Sequence, residues 1–95
     1  MTYELEFDPR ALKEWCKLDA SIKKQFKKKL AEILEAPRIE ANRLRDLPDC
    51  YKVKLRSSGY RLIYQVRDEF VMVFVVAIGK RENQRAYKVA ERRIR

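Results

Sequence analysis

The 95-residue chain contains no histidine. That absence removes the commonest zinc ligand, the Ser-His-Asp triad and every His acid/base pair at once. Cysteine is scarce as well. Cys16 and Cys50 stand alone without CxxC spacing, and in a reducing compartment they are expected as small core residues. The longest apolar run, Phe70 to Ile78, has nine residues, half of what a bilayer span requires. Met1, Thr2, Tyr3 and Glu4 lack the basic start and apolar core of a signal peptide, so a cytoplasmic protein with no membrane partner is expected. What is present is an ordinary hydrophobic content of 46%, read as one domain over residues 1–95. A chain of this length buries only about 60 to 65% of its unfolded surface.

The net charge is +9, from 23 basic and 14 acidic residues, and it is unevenly placed. Residues 1–37 are nearly balanced at +1, residues 38–67 and 80–95 carry +5 each, and residues 68–79 carry −2. Such asymmetry points to a polyanion. Nucleic acid is favoured over a membrane surface, because no strongly amphipathic basic helix with an aromatic face is evident.

Hydrophobic spacing gives the element order. Tyr3, Leu5 and Phe7 alternate with polar residues as a half-buried strand does. Asp8 and Pro9 then read as N-cap and first helical position of a helix to about Leu18 that buries Leu12, Trp15 and Leu18. Asp19 opens a second helix, with Ile22, Phe26, Leu30, Ile33 and Leu34 on one face and Pro37 as its stop. The lysines at 27, 28 and 29 fall on its solvated side. A loop with Leu44 and Leu47 tucked inward leads to a hairpin. Tyr51, Val53 and Leu55 alternate with Lys52, Lys54 and Arg56, and the series resumes at Tyr60, Leu62, Tyr64 and Val66.

A two-residue turn at Ser58 and Gly59 would set Leu55 opposite Leu62, Arg56 opposite Arg61, Lys54 opposite Ile63 and Lys52 opposite Gln65. One face of the hairpin is then apolar and the other holds four cations. Phe70 to Ile78 reads as a central strand covered on both faces and ended by Gly79. Asn83 can cap a last helix with Ala86, Val89 and Ala90 on one side. The fold class is therefore α+β, order βααβββα: an antiparallel β-sheet packed on an N-terminal α-hairpin, with a C-terminal helix.

Like charges facing each other across a sheet destabilise it, so gathering Lys52, Lys54, Arg56 and Arg61 needs a counter-charge, and a phosphate supplies one. Crowding of cations also makes a lysine a better proton carrier near neutral pH. Arginine stays charged and offers a planar fork to a phosphate whose charge grows in a transition state. RNA brings its own nucleophile in the 2′-hydroxyl, so its cleavage strictly requires no metal or other cofactor. A chain without histidine or clustered carboxylates could cleave RNA only with Lys, Arg and Tyr. Tyr87, in a strongly basic stretch, is a candidate, and an amphipathic tyrosine packed under its helix is the alternative.

The stretches DCYKVKLRSSGYRLIYQV and VFVVAIGKRE, Tyr87, and before them DPRALKEWCKL and PRIEANRLR, resemble the RelE toxins of bacterial toxin–antitoxin operons over essentially the whole chain. The resemblance implies a microbial-ribonuclease-like fold and endonucleolytic cleavage of mRNA in the ribosomal A site, leaving a 2′,3′-cyclic phosphate. It also implies two partners, the 70S ribosome with its A-site mRNA and rRNA, and a RelB-type antitoxin. The family's functional positions match Lys52, Lys54, Arg61, Arg81 and Tyr87. Arg61 and Arg81 are assigned to phosphate and transition-state stabilisation, and the proton transfers stay open among Lys52, Lys54 and Tyr87. Arg45, Arg56, Lys80 and Arg85 are candidates for holding RNA or the ribosome. YoeB-type relatives rely on Glu and His, which the missing histidine excludes. Two other readings remain: a non-catalytic nucleic-acid-binding module, and a gyrase inhibitor of the ParE type, although ParE relatives lack this set of basic residues and tyrosine.

Overall fold

The computed structural model describes residues 2–80 and 85–94. Strand β1 (Glu4–Phe7) leads into helices α1 (Pro9–Cys16) and α2 (Ala20–Glu35), followed by strands β2 (Cys50–Lys54), β3 (Tyr60–Arg67) and β4 (Met72–Lys80) and helix α3 (Arg85–Ile94). Asn83, the expected cap of α3, lies outside the described residues.

Asp8 caps α1 as its side chain predicts, accepting from the Arg10 backbone N–H at 2.8 Å while Pro9 takes the first helical position. The Arg10 guanidinium also donates to both carboxylate oxygens, at 3.1 and 3.0 Å, and holds the buried Asp8 carboxyl below the usual carboxylate range. On α2, Ile22, Phe26, Leu30 and Ile33 are buried at the expected spacing, whereas the lysines at 27, 28 and 29 are exposed. On α1 the inward residue is Ala11 rather than Leu12, which is 46% exposed. A methyl side chain lets this short helix lie close against β4, and Leu12, 100° further round, turns to water. Cys50 is buried, its thiol pushed up to about 12 by burial, but Cys16 is exposed.

Among the described residues the strands form one sheet in the order β1-β4-β3-β2. It is mixed, not wholly antiparallel as expected, because β1 runs parallel to β4, from Glu4↔Met72 to Phe7↔Val75. Alternation shows that residues 3–7 form a strand, but it carries no information on which neighbour they choose. The β2–β3 register is two residues from the expected one: Lys54 faces Arg61, Val53 faces Leu62, Lys52 faces Ile63 and Tyr51 faces Tyr64. The connecting loop is four residues long, not two. Leu55 N–H donates to the Tyr60 carbonyl, Gly59 N–H donates to the Leu55 carbonyl, and Gly59 takes a φ of 76° that favours glycine. A shift of two preserves which face each side chain occupies, so the apolar and cationic faces survive while the partners change.

The β3–β4 connection consumes Asp68 to Val71, with Val71 at a φ of 48°. Phe70 is therefore part of the turn and 63% exposed instead of opening β4, and β4 continues past Gly79 to Lys80. One irregularity in β4 matters for the site. Ile63 pairs with Ala77 and Tyr64 with Val75, so Val76 is an extra residue, a β-bulge. Before it, Val73 and Val75 face the helical hairpin; after it, Ile78 does, and Gly79 turns toward α3.

Two cores result. Under the hairpin lie Phe26, Leu30, Val53, Leu62, Val75 and their neighbours, together with Tyr51 and Tyr64, whose rings stack at 5.6 Å. On the opposite face Leu47, Cys50, Ile63, Val76 and Ala77 are covered by Ala86 and Ala90 of α3. The central strand is thus buried on both faces, as its unbroken apolar run indicates.

Candidate active site

The cationic face of the hairpin and the N-terminal half of α3 meet over β4. Arg61 on β3 lies between Lys54 on β2 and Gly79 on β4. The strand position beside Arg61 thus carries no side chain. A Cβ on Gly79 would sit 3.5 Å from that of Ala86, so α3 approaches the sheet closely here. Arg61 reaches across this gap: its Nη1 donates to the Tyr87 hydroxyl at 2.5 Å, and the guanidinium carbon lies 5.5 Å from the Tyr87 ring centroid. The Tyr87 oxygen accepts this bond, so its own proton is left to another acceptor.

Lys54, exposed, is directly across from Arg61, which puts the two Cβ atoms about 4.5 to 5.5 Å apart. Lys52, half-buried, follows on the same face opposite buried Ile63. Arg56 sits on the exposed hairpin loop. With Lys54, Tyr60 and Arg61 it lines a cavity of about 340 Å³. Lys80 pairs with Tyr60 across the strands, its Nζ 5.5 Å from the Tyr60 ring.

The structure therefore brings Lys54, Arg56, Arg61 and Tyr87 to one place, with Lys52 and Lys80 flanking it. Arg45 is exposed on the loop before β2. Arg85 belongs to the first turn of α3. Arg81 lies outside the described residues.

A second polar cluster, at the far end of the sheet, escapes a reading by charge alone. Arg38 donates to Asp68 at 2.5 Å, to Asp49 at 3.1 Å and to the Tyr51 hydroxyl at 3.2 Å, and Tyr3 donates to Asp68 at 2.6 Å. It ties together the residue before β1, the segment after α2, and the loops flanking β2 and β3. Tyr64 adds a bond to the Pro37 carbonyl at 2.7 Å. Arg38 thereby anchors the stacked tyrosines beneath the strand that carries Lys52 and Lys54. Nothing in the spacing of Arg38, Asp49 and Asp68 announces this, since the three come from separate connections.

The profile of the family described as the ParE toxin of type II toxin-antitoxin system, parDE, matches residues 5–85. The mRNA interferase toxin RelE of Escherichia coli (strain K12) is 64% identical over 94 residues, 99% of each chain. The chain belongs to the RelE/ParE toxin family. Solved structures of this family agree with the fold. The free-state structure of an arginine-to-alanine double mutant of E. coli toxin RelE matches with a TM-score of 0.93 at 62% identity, both chains covered in full. A chain of the intact E. coli RelBE toxin-antitoxin complex matches at 0.83 and 67% identity, covering 85% of this chain and 99% of that one. One fold can serve different functions, so the side chains gathered on the sheet decide the target.

Proposed function

We propose that this chain is a type II toxin of the mRNA interferase kind, which cleaves mRNA in the ribosomal A site. The observation that carries this reading is the Arg61–Tyr87 contact beside Lys54, where a fixed guanidinium, a phenol and an ammonium converge on one open face. The similarity to the mRNA interferase toxin RelE supports the same assignment.

The chemistry follows from what these groups can do. Loss of a proton from the 2′-hydroxyl lets O2′ attack the adjacent phosphorus, and the 5′-oxygen leaves with a proton, giving a 2′,3′-cyclic phosphate and a 5′-hydroxyl. Arg61 offers its fork to the phosphate oxygens, whose charge grows in the phosphorane. Arg81, outside the described residues, takes the same role by the resemblance to RelE toxins. Lys52, Lys54 and Tyr87 share the proton transfers, with the Tyr87 hydroxyl proton turned away from Arg61 and available to an RNA oxygen. Arg56, Lys80, Arg45 and Arg85 hold the RNA backbone or ribosomal RNA through phosphate contacts.

Its partners in this reading are the 70S ribosome and a RelB-type antitoxin that masks the cationic face. The activity would be cytoplasmic, where translating ribosomes are. No helix among the described residues is long and apolar enough to cross a membrane. Primer extension on mRNA from cells producing the protein tests the reading. Discrete cuts in phase with translated codons are expected. Intact mRNA with inhibited gyrase would instead favour a ParE-type target, and intact mRNA with retained RNA affinity a pure binding module.

A further inference from the structure

Helix α3 carries Tyr87, and the fully buried centre of the stripe by which it docks is made of small residues. Its buried positions are Ala86 and Ala90, and the sheet residue beneath Ala86 is Gly79. These methyl groups allow close approach to Gly79 and to Cys50, Ile63, Val76 and Ala77, with Tyr87, Val89 and Ile94 half-buried around them. Alanine methyls interlock less deeply than larger side chains, so polar contacts at the two ends of the helix add to its register. At the N-terminal end the register is marked by Arg61 and Tyr87. At the other end, seven residues after Ala86 and on the same stripe, stands Arg93.

Arg93 is built into the fold. Its side chain is 11% exposed, and its Nη1 donates to Oε1 of Glu14 on α1 at 2.9 Å and to the Val76 carbonyl at 2.7 Å. Nη2 faces the second Glu14 oxygen at 3.4 Å. Glu14 Oε1 in turn accepts the Ile78 backbone N–H at 3.2 Å. These backbone groups belong to the β-bulge. Strand β1 accompanies β4 only as far as Val75, whose carbonyl accepts from Asp8 N–H at 2.9 Å. Beyond that point the Val76 carbonyl and the Ile78 N–H have no β1 residue beside them, and Arg93 supplies the missing donor and Glu14 the missing acceptor. One ion pair therefore completes the edge of β4, closes the bulge and joins α3 to α1.

We propose that the Glu14–Arg93 pair is a positioning element for Tyr87. It holds α3 in the register that brings the Tyr87 hydroxyl to Arg61, about 9 Å further along the helix axis. The proposal rests on the reading of Tyr87 and Arg61 as reaction-site residues. Neither Glu14 nor Arg93 touches the RNA in this arrangement; each acts through the helix.

The test is a double-mutant cycle on single-turnover mRNA cleavage at saturating programmed ribosomes, with ribosome affinity and melting temperature measured on the same proteins. Arg93→Ala is expected to lower the cleavage rate about tenfold without changing ribosome affinity. In a Tyr87→Phe background it should lower the rate less than twofold, because the group it positions is already gone. Arg93→Lys keeps the charge but loses the fork, and should fall between. If Arg93→Ala does not fold, Arg93→Lys and Glu14→Gln carry the same cycle.

A full-rate Arg93→Ala, or losses that multiply undiminished with Tyr87→Phe, would overturn the proposal while leaving the site reading intact. A full-rate Tyr87→Phe would overturn both.

Discussion

The hydroxyl of Tyr87 on α3 lies 2.5 Å from Nη1 of Arg61 on β3, across a strand position occupied by Gly79. The two residues are 26 apart in the chain, and the bulged strand β4, which neighbours β3 in the sheet, comes between them in sequence. Replacing Arg61 with Ala should lower single-turnover cleavage on programmed ribosomes by about two orders of magnitude, the scale of losing one transition-state contact. Tyr87→Phe and Lys54→Ala should each lower it about tenfold to a hundredfold. The Arg61/Tyr87 double variant should lose less than the product of the single losses, because the two groups act as a unit. Ribosome affinity measured in parallel should change little. An affinity loss equal to the rate loss would make Arg61 a binding residue.

Gly79 tests how closely α3 must approach the sheet. Gly79→Ala places a methyl 3.5 Å from that of Ala86, an ordinary contact, and should alter stability by less than about 1 kcal/mol. Gly79→Leu overfills the same space, with an expected cost of about 1 to 3 kcal/mol, and lifts Tyr87 away from Arg61. Its cleavage rate should fall much further than its melting temperature implies. Denaturation curves and cleavage rates on the two variants check this, and wild-type cleavage by Gly79→Leu would show that α3 need not pack here.

Much of this architecture is legible in the sequence, for physical reasons that also mark where legibility ends. The face assignment of Lys52, Lys54 and Arg61 follows from a period of two, which a register shift of two cannot disturb. Their partners depend on loop length, and Arg56 to Gly59 form a four-residue loop whose geometry the Ser-Ser-Gly string leaves open. The parallel placement of β1, the bulge at Val76 and the Arg38 cluster are long-range outcomes with no local period. Leu12 and Phe70 are exposed for related reasons: a short helix chooses its inward face by how near it must lie, and a chain reversal consumes residues that read as strand. Tyr87 was visible as a basic-stretch tyrosine, but its contact with Arg61 needed the fold.

Stability should show a plateau between about pH 5 and 8, where no histidine titrates. At the acid end, Arg10's hydrogen bonds to Asp8, and the bonds from Tyr3 and then Arg38 to Asp68, hold both carboxyls below their ordinary range. A folded-state pKa below the unfolded one gives stability that is present above about pH 4 and lost as pH falls through the lowered value. At the alkaline end, burial raises the Cys50 thiol to about 12 and the Tyr64 phenol upward from its ordinary value. The unfolded chain ionises these groups first, from about pH 8.5 and 10, so stability falls as pH rises past those values. Urea melts from pH 3 to 11 check both flanks, and a steady slope between pH 5 and 8 would contradict this assignment.

In the proposed function the site cleaves mRNA held in the A site and does not act as a free-standing ribonuclease. The chain has no histidine, so its acid and base are groups poorly suited to pH 7. Ribosome-held mRNA in an in-line geometry can compensate, with orientation contributing up to roughly 7 to 11 kcal/mol. The direct measurement is cleavage of one mRNA, free in solution and bound in the A site of programmed ribosomes, at equal protein concentration. Rapid cleavage in the A site with little or none of the free RNA is the expected result; equal rates in the two states would contradict it.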